Sequence, residues 1–390
     1  MIPLMKNAFL YETQTKKELA EFIMTASRLS MSDKCQQFEQ VFAKTQGRKD
    51  CVLFNSGGSA NLALIQAYKN LGVLSDGDKI GFSALTWSTN VMPLIQLGLI
   101  PVPLDCEPQT LNVMSYNLND RLQETDLKAV FITNALGLAG DLDKIRELCI
   151  KRNILLFEDN CEALGTVLSA TKTGNFGDAA TFSYFVAHHM SSIEGGSVCT
   201  DNQDLAEMLR IVRANGWDRN LTSEQQHKWR NRHEIQGELD DKYTFYDLGF
   251  NLRPTEITAF LALTQLRYLE ENCLKRERIF KILDAKIRGN DNFLPLNHDH
   301  ISFLSAFAFP VICKSPQVRD YYIQRLEKEN VEVRPVISGN IQRQPFYKKY
   351  IKDEYKAPGA DMVHDCGFYF GNYPELTDED LEILSSALMN

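Results

Sequence analysis

Residues 128–159, KAVFITNALGLAGDLDKIRELCIKRNILLFED, decide the fold. Two short apolar runs, at 128–133 and 154–159, flank an amphipathic stretch at 142–153. Apolar runs of strand length separated by a helix-length periodic segment define a parallel strand–helix–strand unit. The alternation continues in both directions. CVLFNS (51–56), KIGFSA (79–84), IPVPLD (100–105), AATFSY (179–184) and GSVCT (196–200) read as further buried strands. ANLALIQAYKNLG (60–72) and QDLAEMLRIVRAN (203–215) read as helices. The expected fold class is therefore α/β, a mostly parallel mixed sheet covered by helices on both faces. Ligands of such sheets sit beyond the carboxyl ends of the strands, so chemistry is sought where these apolar runs end.

Beyond this region, residues 220–242 are polar and poorly periodic and read as a surface loop. The stretch from Thr255 to Ile287 reads as one long helix. It leads into strand candidates FAFPVIC and VEVRPVI and a helix around VRDYYIQRLEKEN. The expected organisation is a large domain over 1–269, with an N-terminal helical segment, and a smaller α+β domain over 270–390.

Composition narrows the function. The 390 residues are 44% hydrophobic and 24% charged, with a net charge of −9 and no basic stripe, so nucleic acid and anionic membrane are poor partners. Nine scattered cysteines lack a CxxC pair and read as buried reduced thiols. No metal site is expected from them. The N-terminus has no signal-peptide pattern and no apolar run spans a bilayer, so a cytoplasmic protein is expected.

Five segments end the strands with chemistry-bearing residues. NSGGSANLAL (55–64) is a small, glycine-rich turn opening a helix, the arrangement that binds phosphate on backbone N–H groups; a turn serving only packing reads the same way. LLFEDNCEALG (155–165) ends an apolar strand in Glu158 and Asp159, followed by Glu162. A carboxylate there needs a partner, either a bound cation or the cap of the next helix. DAATFSYFVAHHMSSIEGGSV (178–198) carries Ser183, His188 and His189; such histidines are also common as structural residues. SALTWSTN (83–90) offers Trp87 for stacking or for the core, and LGFNLRPTEI (248–257) offers Asn251 and Arg253 for binding or for capping.

In their joint order these segments resemble the sugar aminotransferase family of fold-type I vitamin B6 enzymes, which act on nucleotide-linked keto-sugars. The resemblance rests on Ser56-Gly57, Phe157-Glu158-Asp159, Ser183-Tyr184, Glu194-Gly195-Gly196, Asn215-Gly216 and Gly249 to Arg253, and covers nearly the whole chain. It implies a pyridoxal or pyridoxamine 5'-phosphate cofactor. Asp159 would pair with the ring nitrogen and Trp87 would stack on the ring. Gly57, Gly58 and Ser183 would hold the phosphate, and Glu162 would face the cofactor hydroxyl. Asn251 would reach the phosphate of a partner subunit, which makes a homodimer with shared active sites. Arg219 would bind the sugar nucleotide or a glutamate carboxylate.

One departure from the family pattern matters most. The lysine that holds the cofactor covalently in most relatives is replaced here by His188, and Lys172 is the sole lysine between Asp159 and Thr200. An imidazole cannot make that linkage, but its near-neutral pKa suits a base that later acts as an acid. The chain is similar in this to the dehydratases of 3-deoxysugar synthesis. The expected reaction removes a sugar hydroxyl from a GDP-linked keto-sugar, with L-glutamate regenerating the amine cofactor. An ordinary aminotransferase and a non-catalytic B6-binding relative are the alternative readings.

Overall fold

A computed structural model describes residues 1–237 and 239–389. Its centre is a seven-stranded sheet made of β1 (Asp50–Phe54), β2 (Lys79–Ser83), β3 (Ile100–Leu104), β4 (Ala129–Thr133), β5 (Leu155–Asp159), β6 (Ala179–Ser183) and β7 (Gly196–Thr200). The spatial order is β1-β7-β6-β5-β4-β2-β3. Neighbours from β6 to β3 are parallel, while β7 runs antiparallel to both β6 and β1.

Strand alternation sorts the side chains between two helical layers. Phe131 and Phe157 face the helices Gly57–Asn70 and Gln203–Arg213, while Val130, Ile132 and Leu156 face the helices Ser115–Glu124 and Leu142–Arg152. Both faces are dry, which is why the strands read as continuous apolar runs. The α/β architecture follows the sequence expectation.

From Leu269 onward the chain adds a second sheet, whose core also takes in Leu85, Leu136 and Leu138. Ala308–Ile312 and Val333–Arg334 flank Gly367–Gly371 in an antiparallel sheet, packed with the helices Leu269–Ile287 and Asp378–Leu388. Ile2 joins this unit through a bridge to Val331. The nine cysteines are unpaired; eight are buried and Cys161 is half-buried. Among the described residues no helix is long and apolar enough to cross a membrane.

Two sequence expectations change. The long helix is two, Glu256–Leu266 and Leu269–Ile287, broken where Tyr268 takes φ −104° and ψ 1°. Ala259 and Ala262, with Leu269 and Cys273 from the start of the second helix, pack beside Phe38 and Phe42, whereas Phe280 and Leu283 farther along pack against the C-terminal sheet. The polar stretch 220–242 is not simply a loop. Ser223–Arg232 is helical, opened by a reciprocal Thr222–Gln225 capping box, with Trp229 buried and its Nε1 donating to Glu207 at 3.0 Å. Glu238 of that stretch lies outside the described residues.

Candidate active site

The carboxyl ends of β2, β5 and β6 and the first turn of Gly57–Asn70 converge. Ser56 caps this helix, its Oγ accepting from Ser59 N at 3.1 Å. Glycine at 57 is required by packing, since a Cβ there would lie 2.7 Å from Ser183 Cβ and 3.0 Å from Ser183 Oγ. Gly196 lets β7 pass, because its Cβ would lie 2.4 Å from Gly57 N. A Cβ on Gly58 would come within 3.0 Å of Thr89 Cγ2. The result is a cup of first-turn N–H groups, which lack intrahelical acceptors, beside the Ser183 hydroxyl; this is anion-binding chemistry.

Asp159 ends β5, 4% exposed. Its Oδ2 accepts from Asn61 Nδ2 at 3.1 Å and Asn90 Nδ2 at 2.7 Å, and its Oδ1 accepts from Cys161 N at 2.9 Å. No cationic side chain of the chain pairs with it among the described residues. Glu162, half-buried on the following turn, accepts from Leu136 N at 2.9 Å. Burial pushes its carboxyl up to about 7; the Leu136 N–H pulls it back and the Asp159 charge adds to the rise.

His188 follows β6 in the loop 184–195. Its ring lies edge-on to Phe307, centroids 5.3 Å apart, and its buried Nδ1 has no hydrogen-bond partner. Burial lowers its pKa to about 4, against the opposing pull of Cys161 and Ser183 backbone groups and of the Asp159 charge. Its neighbour His189 is different. Its Nε2 is 2.9 Å from the Ser305 carbonyl, its own carbonyl accepts from Asn272 Nδ2 at 2.8 Å, and burial holds it neutral. Arg276, buried behind this loop, donates to Asn272 Oδ1 and to the Phe307 and Asn372 carbonyls. Lys172 is engaged elsewhere, its Nζ 2.5 Å from the Thr45 carbonyl.

Trp87 lies in the loop after β2. It is not a core residue, with 57% of its surface exposed. Asn251 and Arg219 lie apart from the Asp159 cluster. They line a groove of about 540 Å³ with Arg28, Gln36 and Arg253, a lining that contains neither Asp159 nor Ser183 nor His188. Asn251 Oδ1 there accepts from Arg253 Nε at 3.1 Å, and the Arg219 guanidinium sits 5.1 Å over Trp217. Asn61, Asn90 and Arg276 were not among the sequence candidates. The signal available for Asn61 was a polar residue on the buried face of the apolar run SANLAL.

The cup, the cation-seeking carboxylate and the buried amide oxygens of Asn61 and Asn90 that lack partners fit a phosphorylated, nitrogen-bearing aromatic group. Fold and site together define a fold-type I pyridoxal phosphate enzyme that modifies sugars, as a dehydratase or an aminotransferase. Residues 11–389 match the DegT/DnrJ/EryC1/StrS aminotransferase family, and the chain belongs to it. It is 30% identical to the GDP-4-keto-6-deoxy-D-mannose 3-dehydratase of Yersinia pseudotuberculosis, over 96% of each chain. It is 29% identical to the GDP-perosamine synthase of Caulobacter vibrioides, over 90% of this chain and 88% of that one. A solved structure of GDP-4-keto-6-deoxymannose-3-dehydratase with a trapped PLP-glutamate geminal diamine matches all of both chains, with a TM-score of 0.91 and 27% identity.

Proposed function

We propose that the chain removes the C3 hydroxyl of GDP-4-keto-6-deoxy-D-mannose, giving a 3-deoxy keto-sugar for colitose synthesis in the cytoplasm. L-Glutamate supplies the amine and the electrons. One glutamate and one keto-sugar yield 2-oxoglutarate, ammonia and the deoxy keto-sugar. The observation that carries this reading is His188, in the loop after β6 and near the Asp159 carboxylate, at the position where the family pattern has its lysine.

Pyridoxamine phosphate, when bound, supplies an amino group for the sugar ketone and a ring that accepts electrons. The residues supply the rest. Gly57, Gly58 and Ser183 bind the phosphate, Asp159 keeps the ring nitrogen protonated, Trp87 covers the ring and Glu162 meets the ring hydroxyl. His188, neutral at physiological pH, takes a proton on its imidazole and returns it to the departing hydroxyl. A second copy of the chain brings Asn251 to the phosphate and Arg219 to the sugar nucleotide or glutamate, so the working unit is a homodimer. The large domain, 1–269, carries the cofactor and the smaller one, 270–390, closes the site behind His188 through Ser305 and Phe307.

The aminotransferase reading has one observation behind it, the similarity to GDP-perosamine synthase. A transaminase would leave nitrogen on the sugar, whereas the dehydratase releases it. Product analysis with glutamate and the keto-sugar tests this: ammonia and 2-oxoglutarate support dehydration, and a stable amino-sugar without ammonia overturns it.

A further inference from the structure

Asp159 holds an unusual set of neighbours. A carboxylate has about four lone-pair sites in its plane. Asn61 and Asn90 occupy Oδ2, Cys161 N occupies one site on Oδ1, and the neutral Cys161 thiol lies within reach of the same carboxylate. All three N–H donors are neutral. A proton placed on Oδ2 would face two N–H donors, so both sites of that oxygen are committed as acceptors and the carboxylate is held in one orientation. The two asparagines are fully buried, and both amide oxygens lack hydrogen-bond partners. Turning either amide over would aim that oxygen at the carboxylate, so Asp159 itself sets their orientation. Asn61 Nδ2 also reaches Thr89 Oγ1 at 3.4 Å. The donors come from the helix that begins at Gly57 and from the turn Ser88–Asn90 that follows Trp87.

We propose that Asn61 and Asn90 are positioning residues that saturate Asp159 Oδ2, fix the orientation of the carboxylate and present Oδ1 as the acceptor for the cofactor's ring N–H. The inference rests on the reading that Asp159 meets the ring nitrogen. Loss of either donor frees a lone pair on Oδ2, so the carboxylate turns, Oδ1 is no longer aimed at the ring N–H, and the ring nitrogen gives up its proton more readily.

The test uses the full-length protein and its Asn61→Leu, Asn61→Ser, Asn90→Leu and Asp159→Asn variants, each checked for folding by circular dichroism. Pyridoxamine phosphate is bound to each, and the ring absorbance is titrated with pH alongside its dissociation constant and steady-state turnover. The expected result is a downward shift of about one pH unit in ring-nitrogen titration in each asparagine variant. With it comes a fall in kcat of about tenfold, while KM for the sugar nucleotide changes little. Asp159→Asn should shift the titration further. The milder Asn61→Ser variant serves if a leucine disrupts folding. Folded asparagine variants that titrate like the wild type, beside a shifted Asp159→Asn, overturn the proposal and leave the role of Asp159 intact. An unshifted Asp159→Asn removes the underlying reading, and the proposal with it.

Discussion

Glu158 and Asp159 are consecutive residues at the end of one strand, yet they serve opposite sides of the sheet. Asp159 faces Asn61 and Asn90, whereas Glu158 accepts from the N–H groups of Gly174, Phe176 and Gly177 at 2.7–2.8 Å. Strand pleating forces this division, because successive side chains point to opposite faces. One carboxylate faces the first turns of the helix Gly57–Asn70, and the other ties down the loop that leads into β6.

Glu158→Gln should therefore lower stability without emptying the site. Glutamine turns one oxygen into a donor that meets a backbone N–H, at a cost of about 1–3 kcal/mol for the buried unsatisfied pair. Urea denaturation should show that loss, and pyridoxamine phosphate affinity should stay within about threefold of wild type.

His189 should behave as a structural residue despite its place beside His188. His189→Leu leaves the Ser305 carbonyl without its partner and should cost about 1–3 kcal/mol. Thermal denaturation measures this. Turnover of the folded fraction should fall by less than about tenfold, far short of the 10²–10⁴ typical of a lost general base.

Burial sets how His188 responds to acid. Its pKa of about 4 lies below the ordinary 6.5, so between these values the unfolded chain binds a proton that the folded chain does not. The stability linked to neutral His188 is complete above about pH 6.5 and is lost as pH falls toward 4. His189, also lowered by burial, acts in the same direction. Acidification from pH 7 to 4.5 should lower the Tm of the wild type by a few degrees more than that of His188→Asn. Equal losses in the two proteins would contradict this.

Gly57→Ala should damage the phosphate cup. The added methyl group meets Ser183 Cβ at 2.7 Å, so β6 and the helix start must part. Affinity for pyridoxamine phosphate, followed by fluorescence, should drop at least about tenfold, equivalent to about 1.4 kcal/mol.

Much of this was legible in the sequence for definite reasons. Strands such as AVFIT and LLFED are apolar along their whole length because both faces are covered, and every central strand was readable on that ground. Asp159 and Ser183 stand at strand ends, where a polar residue after an apolar run is visible. The helix at Ser223–Arg232 was hidden by its polar surface, although Thr222 and Gln225 carried the capping pattern. The break at Tyr268 has no glycine or proline to mark it, so the periodic pattern runs on through it. Asn61 and Asn90 were not legible because their role depends on a carboxylate about 70 to 100 residues away that only the folded sheet brings near.

The central claim is that His188 directs this fold to elimination. The most direct measurement follows ammonia and 2-oxoglutarate from enzyme supplied with pyridoxal phosphate, L-glutamate and GDP-4-keto-6-deoxy-D-mannose, beside His188→Asn. The wild type should release both products in equal amounts, and the variant should still form 2-oxoglutarate in its first half-turnover but lose ammonia release by at least about 10²-fold. A wild type that forms an amino-sugar and no ammonia, or a variant that releases ammonia at the wild-type rate, would contradict the claim.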